Sequence, residues 1–245
     1  ILGHVMEGLL RYDEFNRIAP GVAERWEIDA SKATFWLRED AFWSDGTRVT
    51  AHDFVFAWQT ALDPLTASEY AFILYPIKNA EAINNGQLDT NALGATALND
   101  STLLVRLERP VAYFDSLLVF PTYFPIKRSF YEEHQSRYGA DASELLYNGP
   151  FVIEKWIHGS QLRMARNAQY WDRDRIRLNI IDYAYITSDV NATLNLFKDG
   201  KIAIAGLNSE NLEDALQRQW KLERFNEGCV GYISFNHRSS RLTRN

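Results

Sequence analysis

The sequence predicts a mixed α/β (α+β) fold laid out in two successive blocks, and three observations carry that prediction. Apolar and polar residues alternate with period two at "TFWLR" and "STLLVRLERP", the pattern of half-buried strands. Apolar residues recur at helical spacing behind a strong capping signal at Thr50. The run Asn148-Gly149-Pro150 then punctuates the chain, and strand and helix patterns alternate beyond it.

Each element can be justified in turn. In "TFWLR", Phe35 and Leu37 share one face while Thr34, Trp36 and Arg38 share the other. "WSDG" is turn chemistry, because Asp45 can bond its own backbone and Gly46 tolerates positive φ. Thr50 and Asp53 form a capping box, with Val49 and Phe54 placed as a hydrophobic staple. Phe54, Trp58, Ala61 and Leu62 define the buried face of the helix that follows. Asp63-Pro64 stops it, since a residue before proline avoids the α region. After a loop rich in Gly and Asn, "NNGQLDTNALG", comes the strand with Leu103, Val105 and Leu107 on one side, ended by Pro110. "AYFDSLL" and "RSFYEEHQSRYG" read as short helices, the second stopped by Gly139.

The second block opens with a hairpin, "FVIEKW" and "QLRMAR" joined through "IHGS". "NIIDYAYI" reads as a buried strand. "SDVNATLNLFKDG" is a helix capped near Ser188 or Asp189, with Val190, Leu194 and Phe197 on one face and Gly200 at its end. "KIAIAG" reads as a short apolar strand. "SENLEDALQRQW" is a helix with acidic residues in its first turn, and "VGYISFN" is a last strand. Alternation of this kind predicts partly parallel pairing in this block.

Composition excludes several functions. Among 245 residues, 26 basic against 32 acidic side chains leave a net charge of −6, the wrong sign for a nucleic-acid surface. No apolar run approaches the roughly 20 residues that span a bilayer. Cys229 is the sole cysteine, so it is a buried thiol, a reactive one, or half of a pair whose partner lies in another chain or segment. No His or Asn signature around "EGCVGY" supports a nucleophile. His4, His52, His134, His158 and His237 are scattered, without metal-ligand spacing. No nucleophile elbow or phosphate loop occurs, and the acidic pairs Glu132-Glu133 and Glu213-Asp214 read as solvated helix faces. The expectation is a protein without catalytic residues, metal or cofactor. The opening "ILGHVMEGLL" lacks a polar lead-in and the close follows directly on an apolar run, so both ends look cut.

Read in order, the motifs resemble a known family. "EGLLRYD", "PGVAERWEI", "FWLREDAFWSDGTRVTAHDFVFAWQTALDPLTASEYA", "LERPVAYFDSLL", "NGPFVIEKW", "NAQYWD", "FKDG" and "YISFN" are similar to the peptide-binding proteins of bacterial ABC importers, extracellular solute-binding protein family 5. The resemblance implies a periplasmic binding protein-like class II lobe: a mixed sheet with flanking helices plus a smaller inserted α/β domain. On that plan residues 1–7 start the core, 8–148 form the inserted domain and 149–245 return to the core. The second lobe is then missing, so the chain is most of the first lobe of a protein about twice its length. Cys229 sits where oligopeptide-binding relatives can carry a cysteine paired with the opposite lobe, and a simple buried thiol stays open.

The function implied is capture of extended peptides, chiefly through their backbones, in a cleft between lobes. Delivery to membrane permease subunits follows, in the periplasm or outside the cell, with or without a lipid anchor, as a monomer without nucleic acid. Carried over residue by residue, Tyr70 in "TASEYA" and Phe120 in "LLVFPT" match cleft positions, each with plain packing as its bland alternative. Gly206, Leu207 and Asn208 match a loop whose backbone lines the cleft. "GKIAIAG" departs from the family by placing Ala203 where an Asp belongs, which puts that loop's geometry in question. The alternatives are a sugar-, nickel-chelate- or haem-binding relative, or the sensing domain of a cytoplasmic transcription regulator.

Overall fold

The computed structural model describes residues 1–223. Within it, residues Ile1–Ile186 form one compact unit and a second begins at Thr187. The first unit starts with a one-turn helix, α1 (Leu2–Val5), and a small antiparallel pair, β1 (Leu10–Tyr12) and β2 (Ile18–Pro20). A four-stranded antiparallel sheet follows, built from β3 (Ala23–Ile28), β4 (Lys32–Leu37), β5 (Ala95–Asn99) and β6 (Thr102–Arg106) in the order β3-β4-β6-β5. Its register sets Phe35 opposite Leu103 and Ala33 opposite Val105, so the apolar faces anticipated from alternation coincide, and all four side chains are buried.

Helix α2 (Ala51–Leu62) lies across β5 and β6. Its start is over-determined. Asp53 Oδ2 accepts from Thr50 N at 2.8 Å, Thr50 Oγ1 at 3.1 Å and the Trp43 indole N–H at 3.2 Å. Burial lifts the Asp53 carboxyl above its ordinary range, although these donors pull the other way. Val49 and Phe54, the expected staple, are both fully buried. The helix ends at Leu62, and Asp63 then caps a 3₁₀ turn at Pro64–Thr66 by accepting from Leu65 N. The remaining helices of this unit are short: α3 (Ala80–Asn84), α4 (Phe114–Leu117) and α5 (Arg128–His134).

After Asn148 comes a second antiparallel sheet, β7 (Phe151–Ile157), β8 (Gln161–Arg166) and β9 (Ile180–Tyr183), in that order. The hairpin β7–β8 turns through Gly159, which adopts φ +72°. In the second unit, α6 (Val190–Lys198) begins at Asp189, whose carboxylate accepts from Asn191 N and Ala192 N. Helix α7 (Leu212–Gln217) carries Glu213 and Asp214 in its first turn, as expected.

Three strand assignments need correction or fall outside. "NIIDYAYI" is not a buried strand: β9 is the edge of its sheet, and Ile180, Tyr183, Tyr185 and Ile186 are all exposed. A short apolar run cannot tell a covered strand from an uncovered one, because burial depends on what packs above it. "KIAIAG" is not a strand at all. Among the described residues, 201–206 have no ladder partner and Ile204 is 85% exposed, since alternation makes no strand without a partner edge. Every ladder among the described residues is antiparallel, and the partly parallel pairing expected of this block includes a last strand that lies outside them. "VGYISFN" and Cys229 lie outside the described residues.

Candidate functional site

Tyr70 and Phe120 lie 50 residues apart in sequence, yet the fold sets their rings side by side, with centroids 6.0 Å apart and planes tilted by 43°. Both are substantially exposed, at 53% and 41%. Neither ring is covered by the core in the way that Phe35 and Phe54 are. A third exposed ring, Phe72, sits 6.2 Å from Tyr70 on its other pairing.

The positions of these rings follow from buried groups beneath them. Tyr70 precedes a 3₁₀ turn at Ala71–Leu74, and Phe120 precedes another at Pro121–Tyr123. Ala71 and Leu74 anchor the first turn in the core. Tyr123 anchors the second, fully buried against Trp58 and Phe114 in edge-to-face contacts at 5.4 and 6.2 Å. The Trp58 indole N–H donates to the Tyr123 carbonyl at 3.0 Å, and the Tyr123 hydroxyl donates to the Ile73 carbonyl at 2.9 Å. One chain of hydrogen bonds thus runs from α2 to both ring-bearing turns. Burial raises the Tyr123 phenol well above its usual range, so it stays a neutral donor.

Gly206, Leu207 and Asn208 belong to the second unit and form a local turn of their own. The Asn208 side chain is committed there: Oδ1 accepts from Glu210 N at 3.0 Å and Asn211 N at 3.2 Å. Asn208 N in turn donates to Asn211 Oδ1 at 2.8 Å, and the Asn208 carbonyl accepts from Leu212 N. This reciprocal clasp opens α7. It leaves Leu207 half-exposed, and a side chain at Gly206 would meet open space. The exposed Ala203 accepts no backbone N–H through its side chain, so the turn is held from the Asn208 side.

The sequence reading missed a second constellation, centred on Glu7. This carboxylate is 5% exposed and accepts from the Tyr170 hydroxyl and the Trp171 indole N–H, each at 2.6 Å. Arg11 reaches Glu7 at 3.4 Å, the Tyr170 oxygen at 2.9 Å and Asp172 at 2.8 Å. The guanidinium groups of Arg11 and Arg38 sit over the Trp171 ring. Asn148 grips the Glu7 backbone on both sides, its Oδ1 accepting from Glu7 N at 3.0 Å and its Nδ2 donating to Glu7 O at 2.9 Å. Burial raises the Glu7 carboxyl despite the opposing hydrogen bonds and arginines. With both oxygens occupied, the group works as a staple joining three distant segments. Its signal in the sequence was the set "EGLLRYD", "NGPF" and "NAQYWD", which contribute its members.

Other sites are weaker. A cavity of about 360 Å³ is lined by Arg166, Asn167, Ala168, Arg173 and Asp174, but both arginines are drawn to backbone carbonyls, Ile176 and Ala168. Among the described residues, no three His, Cys, Asp or Glu are grouped to hold a metal ion, and no helix is long and apolar enough to cross a membrane.

Comparison with known proteins adds the family. The sequence profile of bacterial extracellular solute-binding proteins, family 5 (Middle), matches residues 17–245. The periplasmic oligopeptide-binding protein OppA of Salmonella typhimurium is 37% identical, the match covering 96% of this chain and 44% of that protein. Among solved structures, the substrate-binding domain of an oligopeptide ABC transporter from Bacillus anthracis superposes with a TM-score of 0.86 at 43% identity, over 89% of this chain and 42% of that one. Listeria monocytogenes OppA bound to peptide gives 0.83 at 34% identity, over 89% and 43%. The α/β fold is thus of the periplasmic binding protein-like kind, and the chain spans about two fifths of the length of the curated relatives it matches.

Proposed function

The chain belongs to the bacterial extracellular solute-binding proteins, family 5, and from that membership we propose that it forms one wall of the peptide-capturing component of an ABC importer. The observation that supports the reading is the exposed Tyr70–Phe120 pair, two rings brought together at 6.0 Å on buried supports, at positions that the family resemblance matches to a cleft. The role needs no chemistry. A bound peptide is held chiefly by its backbone, and the Tyr70 and Phe120 rings accept its side chains. Taken by itself, the Gly206–Asn208 turn is a further ligand-facing segment, with open space beside Gly206. Residues 1–7 and 149–245 are the core of the lobe and 8–148 the inserted domain. The protein works in the periplasm or outside the cell as a monomer, handing its ligand to permease subunits.

The test is a titration of the isotopically labelled 245-residue chain with pentaalanine, read by amide chemical shifts. One wall of a cleft encloses only part of a ligand, so binding is weak and in fast exchange, with shifts at Tyr70 and Phe120 and, as a separate segment, at residues 206–208. Saturating peptide that moves no amide in these segments overturns the reading. Shifts with a sugar or a nickel chelate and none with peptide would reassign the ligand.

A further inference from the structure

We propose that Phe72 sets ligand specificity: together with Tyr70 and Phe120 it makes a three-ring surface that receives an aromatic or large aliphatic side chain of the bound peptide. The inference rests on the peptide-binding reading above and goes further by naming the class of peptide. Phe72 had no place in the sequence expectations; its position comes from the fold.

The geometry of the 3₁₀ turn puts the ring where it is. Residues three apart in such a turn lie on one face, so the buried Ala71 and Leu74 take the inward side together. Phe72 is thereby turned outward, 57% exposed, beside Tyr70 at 6.2 Å and 31°. Tyr70 is the middle ring, with Phe120 at 6.0 Å on its other pairing. Isolated exposed aromatics are ordinary, but three in contact on fixed supports are not.

The backbone under the rings is fixed before any ligand arrives. Ile73 N donates to the Tyr70 carbonyl at 3.1 Å and Tyr75 N to the Phe72 carbonyl at 3.2 Å. Tyr123 N donates to the Phe120 carbonyl at 2.9 Å. Aromatic side chains on such supports lose little freedom when they are covered, because only two χ angles remain to be ordered. The spacing of the rings falls in the range where offset and tilted aromatic contacts are favourable, so a further ring can join the set without rearranging it. A small or charged ligand side chain would leave this area wet and gain nothing from Phe72. The occupant that fits is a peptide with Phe, Tyr, Trp or Leu at the position facing the surface.

The experiment compares Ala-Ala-Phe-Ala-Ala with pentaalanine on the 245-residue chain, by amide-shift titration, for the natural sequence, Phe72→Ala and Phe72→Tyr. The natural chain should prefer the Phe peptide by about tenfold, the factor that about 1.4 kcal/mol of ring contact supplies. Phe72→Ala should bring that preference close to unity, and Phe72→Tyr should restore it. Equal affinities in the natural chain, or a preference that survives Phe72→Ala, overturn the specificity role while the peptide-binding reading stands. If neither peptide moves any amide, the peptide-binding reading fails first and this inference falls with it. Because the Phe72 side chain is exposed, an unfolded Phe72→Ala variant would also contradict it, showing a structural role instead.

Discussion

Replacing Tyr123 with Phe removes one oxygen atom and tests the connection between the core and the exposed rings. The Tyr123 ring is fully buried, and Phe fills the same volume, so no cavity term enters. What goes is the hydroxyl that donates to the Ile73 carbonyl at 2.9 Å. A neutral hydrogen bond of this kind is worth about 1 kcal/mol net, and leaving a partly buried acceptor unpaired raises the loss toward about 2 kcal/mol. At a urea dependence of about 2 kcal/mol per molar, the midpoint should fall by roughly 0.5–1 M with an unchanged slope. The effect should also be local. Amides of the Ala71–Leu74 turn and its exit, notably Ile73, Tyr75 and Ile77, should exchange faster, because the phenol ties that turn to the Pro121–Tyr123 turn. Exchange in β4 and β6 should change only by the global loss. A variant within about 0.3 kcal/mol of the parent, with equal protection at Ile73 and Tyr75, would refute the idea that this bond holds the ring-bearing turns together.

Two further predictions concern the Glu7 staple. Glu7→Ala takes the acceptor from the buried Tyr170 hydroxyl and from the Trp171 N–H, while Arg11 keeps Asp172 and the Tyr170 oxygen, and should cost at least about 2 kcal/mol in urea unfolding. Glu7→Gln keeps an acceptor and changes the pH dependence. The folded state raises this carboxyl above 4.5, so it holds the proton more tightly than the unfolded chain does. Stability contributed by Glu7 is then full below 4.5 and is lost as pH rises through the raised value. The stability of the parent relative to Glu7→Gln should accordingly fall as pH rises from 4.5 through the raised value, and a constant or rising difference contradicts the burial argument. Gly149→Ala places a Cβ 2.6 Å from Met6 N and Val5 C, backbone atoms that cannot step aside. Thermal unfolding should show a drop of several degrees, and an unchanged midpoint would mean that the Val5–Gly149 crossing is not tight.

The parts of the fold that could be read from the sequence are those whose signal is local. The β4 and β6 alternation, the Thr50–Asp53 start of α2, the Asp63-Pro64 stop and the Asp189 cap are each written within about four residues. The strand β5, "ATALN", directly follows the loop "NNGQLDTNALG" and carries no assignment from the sequence. It has weak alternation and owes its existence to pairing with β6. The strand β3, "AERWEI", hides for a similar reason, since its polar residues face out from the sheet's other edge. The errors at β9 and residues 201–206 share one cause: apolarity says that a segment could be buried, and only a neighbour decides whether it is. The site divides in the same way. Tyr70 and Phe120 are proposed from the family resemblance, whereas the outward position of Phe72 depends on which face of a 3₁₀ turn the core claims. The Glu7 network spans up to 164 residues of sequence, so no local pattern could have shown it.

The rigid stretch "WSDGTRVTAHDFVFAW" gains a physical purpose from these contacts. Its two tryptophans are both fully buried and both use their indole N–H groups, Trp43 toward Asp53 and Trp58 toward the Tyr123 carbonyl. The first bond fixes where α2 begins, and the second transmits that position to the turn that carries Phe120. A surface that meets varied ligands cannot rely on any one of them to order it, because each would bear the ordering cost against its own contact energy. Fixing the turns from below, through α2, removes that cost for every ligand alike. Rigid support and tolerance of many sequences are therefore compatible demands. On the peptide-binding reading, loosening the Trp58–Tyr123–Ile73 chain should weaken all peptides together, whereas altering Phe72 should weaken chiefly those that present a large apolar side chain.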